Sequence, residues 1–334
     1  MGVLDAYLKW TVQVKQAIAL WGAYTVKGAF DEVVVAGMGG SGIVGDYLQV
    51  LSTASGTIPV YVVKSHTVPG FIDRGTLFIA VSYSGDTLET VLALRHALRK
   101  RVTAITVSSG GALREEALKN NLLHIPLPQG LLPRVSLPAM LYSVLGVLDA
   151  SGYPVVPKGE ASASVEFLEE YMDECVEVSE NLANWLFVDV VLGSRLPVIA
   201  SHSPLEALAI RGKNEFNENS KLVVKVDVAP EWMHNDIVGY EKPVYRKYGV
   251  LEIVDPENTV GVKLVNFMER VYSENNAVYF RLELRGRNML EKLMYGSLIL
   301  GLASVKLAER RLLDPAETKS ILLYKRSVRE IFSE

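Results

Sequence analysis

The chain has 334 residues, 49% hydrophobic and 22% charged, with 34 Lys and Arg against 38 Asp and Glu. That is ordinary globular composition, long enough for two domains with separate cores. A net charge of −4 with no arginine- or lysine-rich run argues against nucleic acid as a partner.

The opening "MGVLDAYLKW" has neither a basic n-region nor an apolar h-region, so no signal peptide is expected. Next, "DEVVVAG" reads as a strand and "SGIVGDYLQVLS" as a helix. "IPVYVVK" and "TLFIAVS" are strands, and "DTLETVLALRHALRK" is a helix, with Leu88, Val91, Leu92, Arg95 and Leu98 at helical spacing. "RVTAITVSS" is a strand, "GALREEALKNN" a helix, "LLHIPLP" a strand and "SLPAMLYSVLGVLDASG" an apolar helix. Apolar strands alternating with helices imply a parallel sheet covered on both faces.

Pro and Gly collect in "SGYPVVPKGE", which places a domain boundary there: 1–152 and 153–334. The second half repeats the grammar. A long helix is expected over about 161–187, carrying the single cysteine, Cys175, at a surface or half-buried position. One cysteine excludes an intrachain disulfide and fits a reducing, cytoplasmic setting. "LPVIAS" is a strand. "SPLEALAIRGKNEFNEN" is a helix with Ser203 as N-cap, Pro204 at its first position and Glu206 completing a capping box. "KLVVKVDVA" is a strand, "VGVKLVNFMERVYSE" a helix and "AVYFRLEL" a strand. "NMLEKLMYGSLILGLASVKLAERRLL" is a long apolar helix, buried in a core because its apolar run is too short for a bilayer. A last helix, "AETKSILLYKRSVREIF", ends the chain. The fold class expected is therefore α/β: two doubly wound domains with parallel sheets flanked by helices, plus a C-terminal helix.

"VVVAGMGGSGIVGDYL" contains G-x-G-x-x-G at Gly37, Gly39 and Gly42. A dinucleotide site also wants an acidic residue at the end of the second strand, but that strand ends in Lys64 and Ser65. Lys64 suits a 2′-phosphate, which keeps an NAD(P)-linked oxidoreductase among the alternatives. The next strand repeats the device: "IAVSYSGDTLET" offers Ser82, Ser84 and Thr87 beside Gly85. Two Ser/Gly loops, each opening a helix at the strand ends, fit a small phosphate monoester. Taken singly, either loop also reads as ordinary capping and turn chemistry. Gly40, Ser41, Ser82, Ser84 and Thr87 are the phosphate-binding candidates, with Gly39 beside them. The five histidines and one cysteine have no metal-ligand spacing, so no metal is expected.

"GMGGSG" with "SYSGDT" resembles the sugar isomerase (SIS) domain family. "NEFNENSK", "PEWMHNDIVG", "LLPRVSL" and "LLDPAETKSILLYK" extend the resemblance to the bifunctional phosphoglucose/phosphomannose isomerases, over essentially the whole chain. The resemblance implies two SIS domains and a homodimer with the site between domains and near the dimer interface. It also implies cofactor-free interconversion of glucose 6-phosphate or mannose 6-phosphate with fructose 6-phosphate through a cis-enediol. By the same resemblance Glu218 moves the proton between C1 and C2, His234 and Lys325 serve ring opening, and Arg134 lies near the reacting carbons. "PEWMHND" departs from the nearer family pattern PE-x-N-H-N-E at Asp236, whose role stays open.

Each role has a chemical basis and a plainer rival. A shielded carboxylate suits proton transfer at carbon, yet Glu218 also reads as a solvated helix end, with Glu215 as the competing carboxylate. Histidine is the side chain suited to shuttling a proton near neutral pH, and His234 either serves that task or simply bonds backbone in its loop. Arg134 could fix an enediolate, or pair with a carboxylate. Lys325 also reads as a plain surface lysine. Thr318, seven residues before Lys325, shares its helix face and leaves room in the substrate pocket. The rival from another class is a SIS-type sugar-phosphate-binding regulator without turnover.

Overall fold

The computed structural model describes residues 2–332. Two short helices open the chain, α1 (Val3–Leu8) and α2 (Trp10–Ala19), both absent from the sequence reading. By packing the chain divides into two compact units. One comprises Leu8–Glu166 with the residues from Thr318 onward; the other comprises Phe167–Glu317 with the residues up to Tyr7.

The first unit runs β1 (Glu32–Ala36), α3 (Gly39–Ser55), β2 (Val60–Val63), β3 (Thr76–Val81), α4 (Leu88–Arg99), β4 (Thr103–Ser108), α5 (Gly111–Lys119), β5 (Leu123–Pro126) and α6 (Leu137–Ala150). All neighbouring strands pair parallel, in the order β2-β1-β3-β4-β5, with Val33 between Val60 and Leu77. Every residue of β3 is buried, as a strand covered on both faces must be. Val34, Phe78, Ala80, Val91, Leu94 and Leu113 form one core cluster of this unit.

The second unit begins within α7 (Lys158–Glu170). It continues with α8 (Met172–Trp185), a π-turn at Leu186–Val191, β6 (Leu196–His202), α9 (Glu206–Ser220), β7 (Lys225–Ala229), β8 (Tyr248–Val254), α10 (Thr259–Ser273), β9 (Ala277–Glu283) and α11 (Met289–Arg310). Its four parallel strands lie in the order β7-β6-β8-β9. The expected core helix is α11, buried almost continuously from Leu290 to Ala308. Cys175 is fully buried, and burial pushes its thiol up to about 12.

Besides the two opening helices and the burial of Cys175, expected at a surface or half-buried position, further particulars differ from the sequence reading. Tyr171 divides the expected 161–187 helix into α7 and α8. β8, a central strand, was not anticipated. α9 starts at Glu206 with Leu205 as its cap, because residues 202–205 form a turn closed by Leu205 N–H on His202 O; the box at Ser203, Pro204 and Glu206 is not formed. The last helix, α12 (Lys319–Ile331), groups with the first sheet, where Tyr324 donates to Glu89 and His66 meets Phe332 at 4.9 Å between ring centroids. Among the described residues no helix is long and apolar enough to cross a membrane, and no three His, Cys, Asp or Glu side chains gather as a metal set.

Candidate active site

The first sheet reverses its winding between β1 and β3, since β2 lies on one side of β1 and β4 on the far side of β3. Loops leaving such a pair of strands bracket an open crevice. Both loops here lead into helices, so free N–H groups of α3 and α4 end at the crevice, a setting that favours an anion. Gly39 starts α3 at φ +52°. At Gly40 a Cβ would lie 3.0 Å from Pro133 O and 3.1 Å from Arg134 Cα. The missing side chain is what lets the turn at Pro133–Ser136 close on the helix start. Trp10 Nε1 and Gln13 Nε2 both donate to Val135 O at 3.0 Å, which pins that turn and the buried Arg134 in it.

The two Ser/Gly loops touch directly: Tyr83 N–H donates to Ser41 Oγ at 3.0 Å. Ser82 Oγ accepts from Gly85 N–H at 3.2 Å and lies 2.9 Å from Thr87 Oγ1. Ser41 and Ser82 are buried and hold the loops in shape. Ser84 and Thr87 are half-buried at the mouth of α4, and Thr87, although the cap residue, makes no side-chain cap bond. Its hydroxyl and that of Ser84, which accepts from Asp86 N–H at 3.3 Å, retain capacity toward a ligand. Lys64, the cation that a 2′-phosphate reading relied on, is ion-paired with Asp46 at 2.6 Å.

Lys325 lies exposed on α12, one residue past Tyr324, whose hydroxyl docks that helix on the first turn of α4. Thr318 is the cap residue of α12 rather than part of it, since the helix begins three residues later than the sequence pattern suggested. Gly39, Gly40, Ser41, Ser82, Ser84, Thr87 and Arg134 thus lie on the loops, helix starts and turn beside the β1 and β3 strand ends of the first unit, with Lys325 on α12 and Thr318 as its cap in the same unit.

Glu218 and His234 belong to the second unit. Glu218 is half-buried on the last turn of α9. Glu215 is fully buried: Arg211 NH2 pairs with its Oε1 at 2.5 Å, and Tyr7 OH and Asn219 Nδ2 donate to its Oε2. Burial, then the Glu215 carboxylate, push the Tyr7 hydroxyl far above its ordinary range. His234 is exposed at the end of a short turn, Glu231–His234, that follows β7. Trp232 anchors that turn in a cluster with Tyr240 and Tyr272, and both tyrosine hydroxyls donate to buried Asp227. Asp236 accepts from Lys225 Nζ at 3.2 Å. His202 is buried with Nε2 accepting from Asp255 N–H at 3.1 Å, so its lone pair is occupied by backbone.

Residues 31–145 match the SIS domain family, and residues 175–328 match the bacterial phospho-glucose isomerase C-terminal SIS domain. The bifunctional phosphoglucose/phosphomannose isomerase of Aquifex aeolicus is 32% identical over 293 residues, 86% of this chain and 88% of that one. That of Aeropyrum pernix is 33% identical over 357 residues, 98% of each chain. The chain belongs to the bifunctional phosphoglucose/phosphomannose isomerase family. Its fold also superposes on the glucosamine-6-phosphate deaminase structure from Thermotoga maritima with a TM-score of 0.71 at 13% identity, covering 94% and 95% of the two chains.

For this member of the phosphoglucose/phosphomannose isomerases, sequence reasoning missed the supports of the site. Trp10 and Gln13 had no motif to mark them. Tyr83 sits inside the "SYSGDT" motif, but its backbone bond to Ser41 depends on β1 and β3 being neighbours. Lys221 is only the last residue of "NEFNENSK" in the sequence pattern; a lysine directly after a helix end is the signal that marks it.

Proposed function

We propose that the chain interconverts glucose 6-phosphate and mannose 6-phosphate with fructose 6-phosphate through a cis-enediol. The observation that carries this is the match to named bifunctional isomerases along nearly the full length of both chains. In this reading the paired Ser/Gly loops of the first unit receive the 6-phosphate. Glu218 takes a proton from C2 of the aldose and returns it to C1. His234 and Lys325 move protons during ring opening, and Arg134 stabilises the enediolate. Gly39 and Thr318 leave space for the sugar. The enzyme works as a homodimer in the cytoplasm, with no cofactor and no metal.

The test is a pair of initial rates on glucose 6-phosphate and mannose 6-phosphate after exhaustive dialysis against chelator. Both aldoses are expected to turn over, because they differ only at C2 and share one enediol. Binding of either sugar phosphate without turnover would instead favour a regulator, and activity restored only by added metal would remove the cofactor-free mechanism.

Ser84→Ala and Thr87→Ala bear on the phosphate cradle separately. Each removes a donor to a dianion, a bond worth about 1.5–3 kcal/mol. Each variant is therefore expected to raise KM by roughly tenfold or more with kcat little changed, and to weaken competitive inhibition by inorganic phosphate in parallel. Loss of kcat alone, with phosphate inhibition intact, would place the phosphate elsewhere.

A further inference from the structure

The carbonyls that end α9 have no partners within the helix, and Glu218 sits among them. Lys221, the residue after the helix, closes this end. Its backbone is left-handed at φ +54°, ψ +34°, a conformation in which glycine or asparagine is the usual choice and a bulkier side chain costs about 1–2 kcal/mol. The side chain gives the reason for a lysine here. Its ammonium donates to Glu218 O at 2.9 Å, Asn219 O at 3.1 Å and Asp314 O at 2.9 Å. Three donors meet three carbonyls, and a cation at this pole is favoured by the helix dipole. Arg311 donates from the same side to Ser220 O.

The last turn is held from its other face as well. Asn219 Nδ2 donates to Glu215 Oε2 and to Ser304 Oγ, both at 2.9 Å, and Ser304 Oγ donates to Gly301 O. The backbone of residue 218 is therefore held through its own carbonyl by Lys221 and through its chain neighbour Asn219, whose side chain is clamped in the core. The Asp314 carbonyl ties the same ammonium to the segment after α11.

We propose that Lys221 is a positioning residue for proton transfer, fixing the backbone of Glu218 so that its carboxylate addresses C1 and C2 of the sugar. This rests on Glu218 being the base. A misplacement near 1 Å costs a reaction about a hundredfold, so the clamp is expected to act on kcat rather than on substrate binding.

The experiment compares Lys221→Met, Lys221→Asn and Lys221→Arg with the parent, assayed well below each variant's melting transition. Met keeps length but has no donors. Asn tolerates the left-handed backbone without reaching the three carbonyls. Arg restores a cation with several donors. The expected result is a kcat lowered about 10–100-fold in Met and Asn, with KM and inhibition by inorganic phosphate unchanged, and a kcat largely recovered in Arg. Unchanged kcat in Asn and Met overturns the proposal even if both melt earlier, because that is a stabilising role alone. A shared rise of KM with kcat intact overturns it too. If Glu218→Gln itself remains active, the base assignment fails and the proposal with it; if Glu218→Gln is inactive while the Lys221 variants are not, only the proposal fails.

Discussion

Glu218→Gln is expected to lower kcat by about 10²–10⁴-fold while leaving KM close to its original value. The size follows from what a positioned general base contributes. The reaction removes a proton from carbon next to a carbonyl and returns it one carbon away, so a single group must accept and then donate. Gln matches Glu in shape and hydrogen-bonding reach, so the last turn of α9 and its clamp by Lys221 are preserved. Its amide does not take up a proton near neutral pH. Two measurements separate this from a folding defect: steady-state rates on both aldoses, and uptake of solvent deuterium at C2, which must vanish together. A glutamine variant with parental kcat would move the base to another carboxylate.

The strands and glycine loops of the first unit could be anticipated because local chemistry decides them. β3 is a run of apolar residues buried on both faces, and "SYSGDT" needs Gly85 because a Cβ there would fall 1.8 Å from Gly110 O. β8 shows where local chemistry runs out. "YGVLEIV" holds a glycine and a glutamate, residues depleted in strands, and both are explained only by tertiary neighbours. A Cβ at Gly249 would meet Val190 Cγ2 at 2.3 Å, and Glu252, buried in the sheet, is paired with Arg281 of β9 at 2.7 Å. Burial still pushes the Glu252 carboxyl above its ordinary range, against the pull of Arg281. The grouping of α12 with the first sheet rests on Tyr324 and Phe332 finding Glu89 and His66, contacts more than 230 residues apart in sequence. Among the site candidates, residues in loop motifs were readable, whereas Lys221 acquires its function only when the left-handed turn and the Asp314 carbonyl are in place.

Arg211→Met is expected to destabilise the second unit by about 3–5 kcal/mol, the range for removing one partner of a buried ion pair. Both side chains are essentially inaccessible, with 1% and 0% exposure for Arg211 and Glu215, and their closest atoms are 2.5 Å apart. Removing the guanidinium takes away the cation paired with the carboxylate and leaves neutral donors such as Tyr7 and Asn219 beside it, in a setting that has already raised the Tyr7 hydroxyl by burial. Glu215→Gln removes the counter-charge of the guanidinium instead and is expected to cost a similar amount. The double variant, Arg211→Met with Glu215→Met, removes both charges and their desolvation penalties, so it should lose much less than the sum of the single losses. Denaturant unfolding followed by tryptophan fluorescence reads all three in a background with Trp10 and Trp21 replaced by Phe, so that only Trp185 and Trp232 of the affected unit report. Strict additivity would mean that the pair is not coupled as its geometry requires. The same series separates the two carboxylates of α9. Glu215 lies three residues before Glu218 on that helix. If Glu215 is structural, Glu215→Gln unfolds earlier but retains far more kcat per folded molecule than Glu218→Gln. If Glu215→Gln is instead stable and as inactive as a base knockout, the proton passes through Glu215 and the assignment of Glu218 falls.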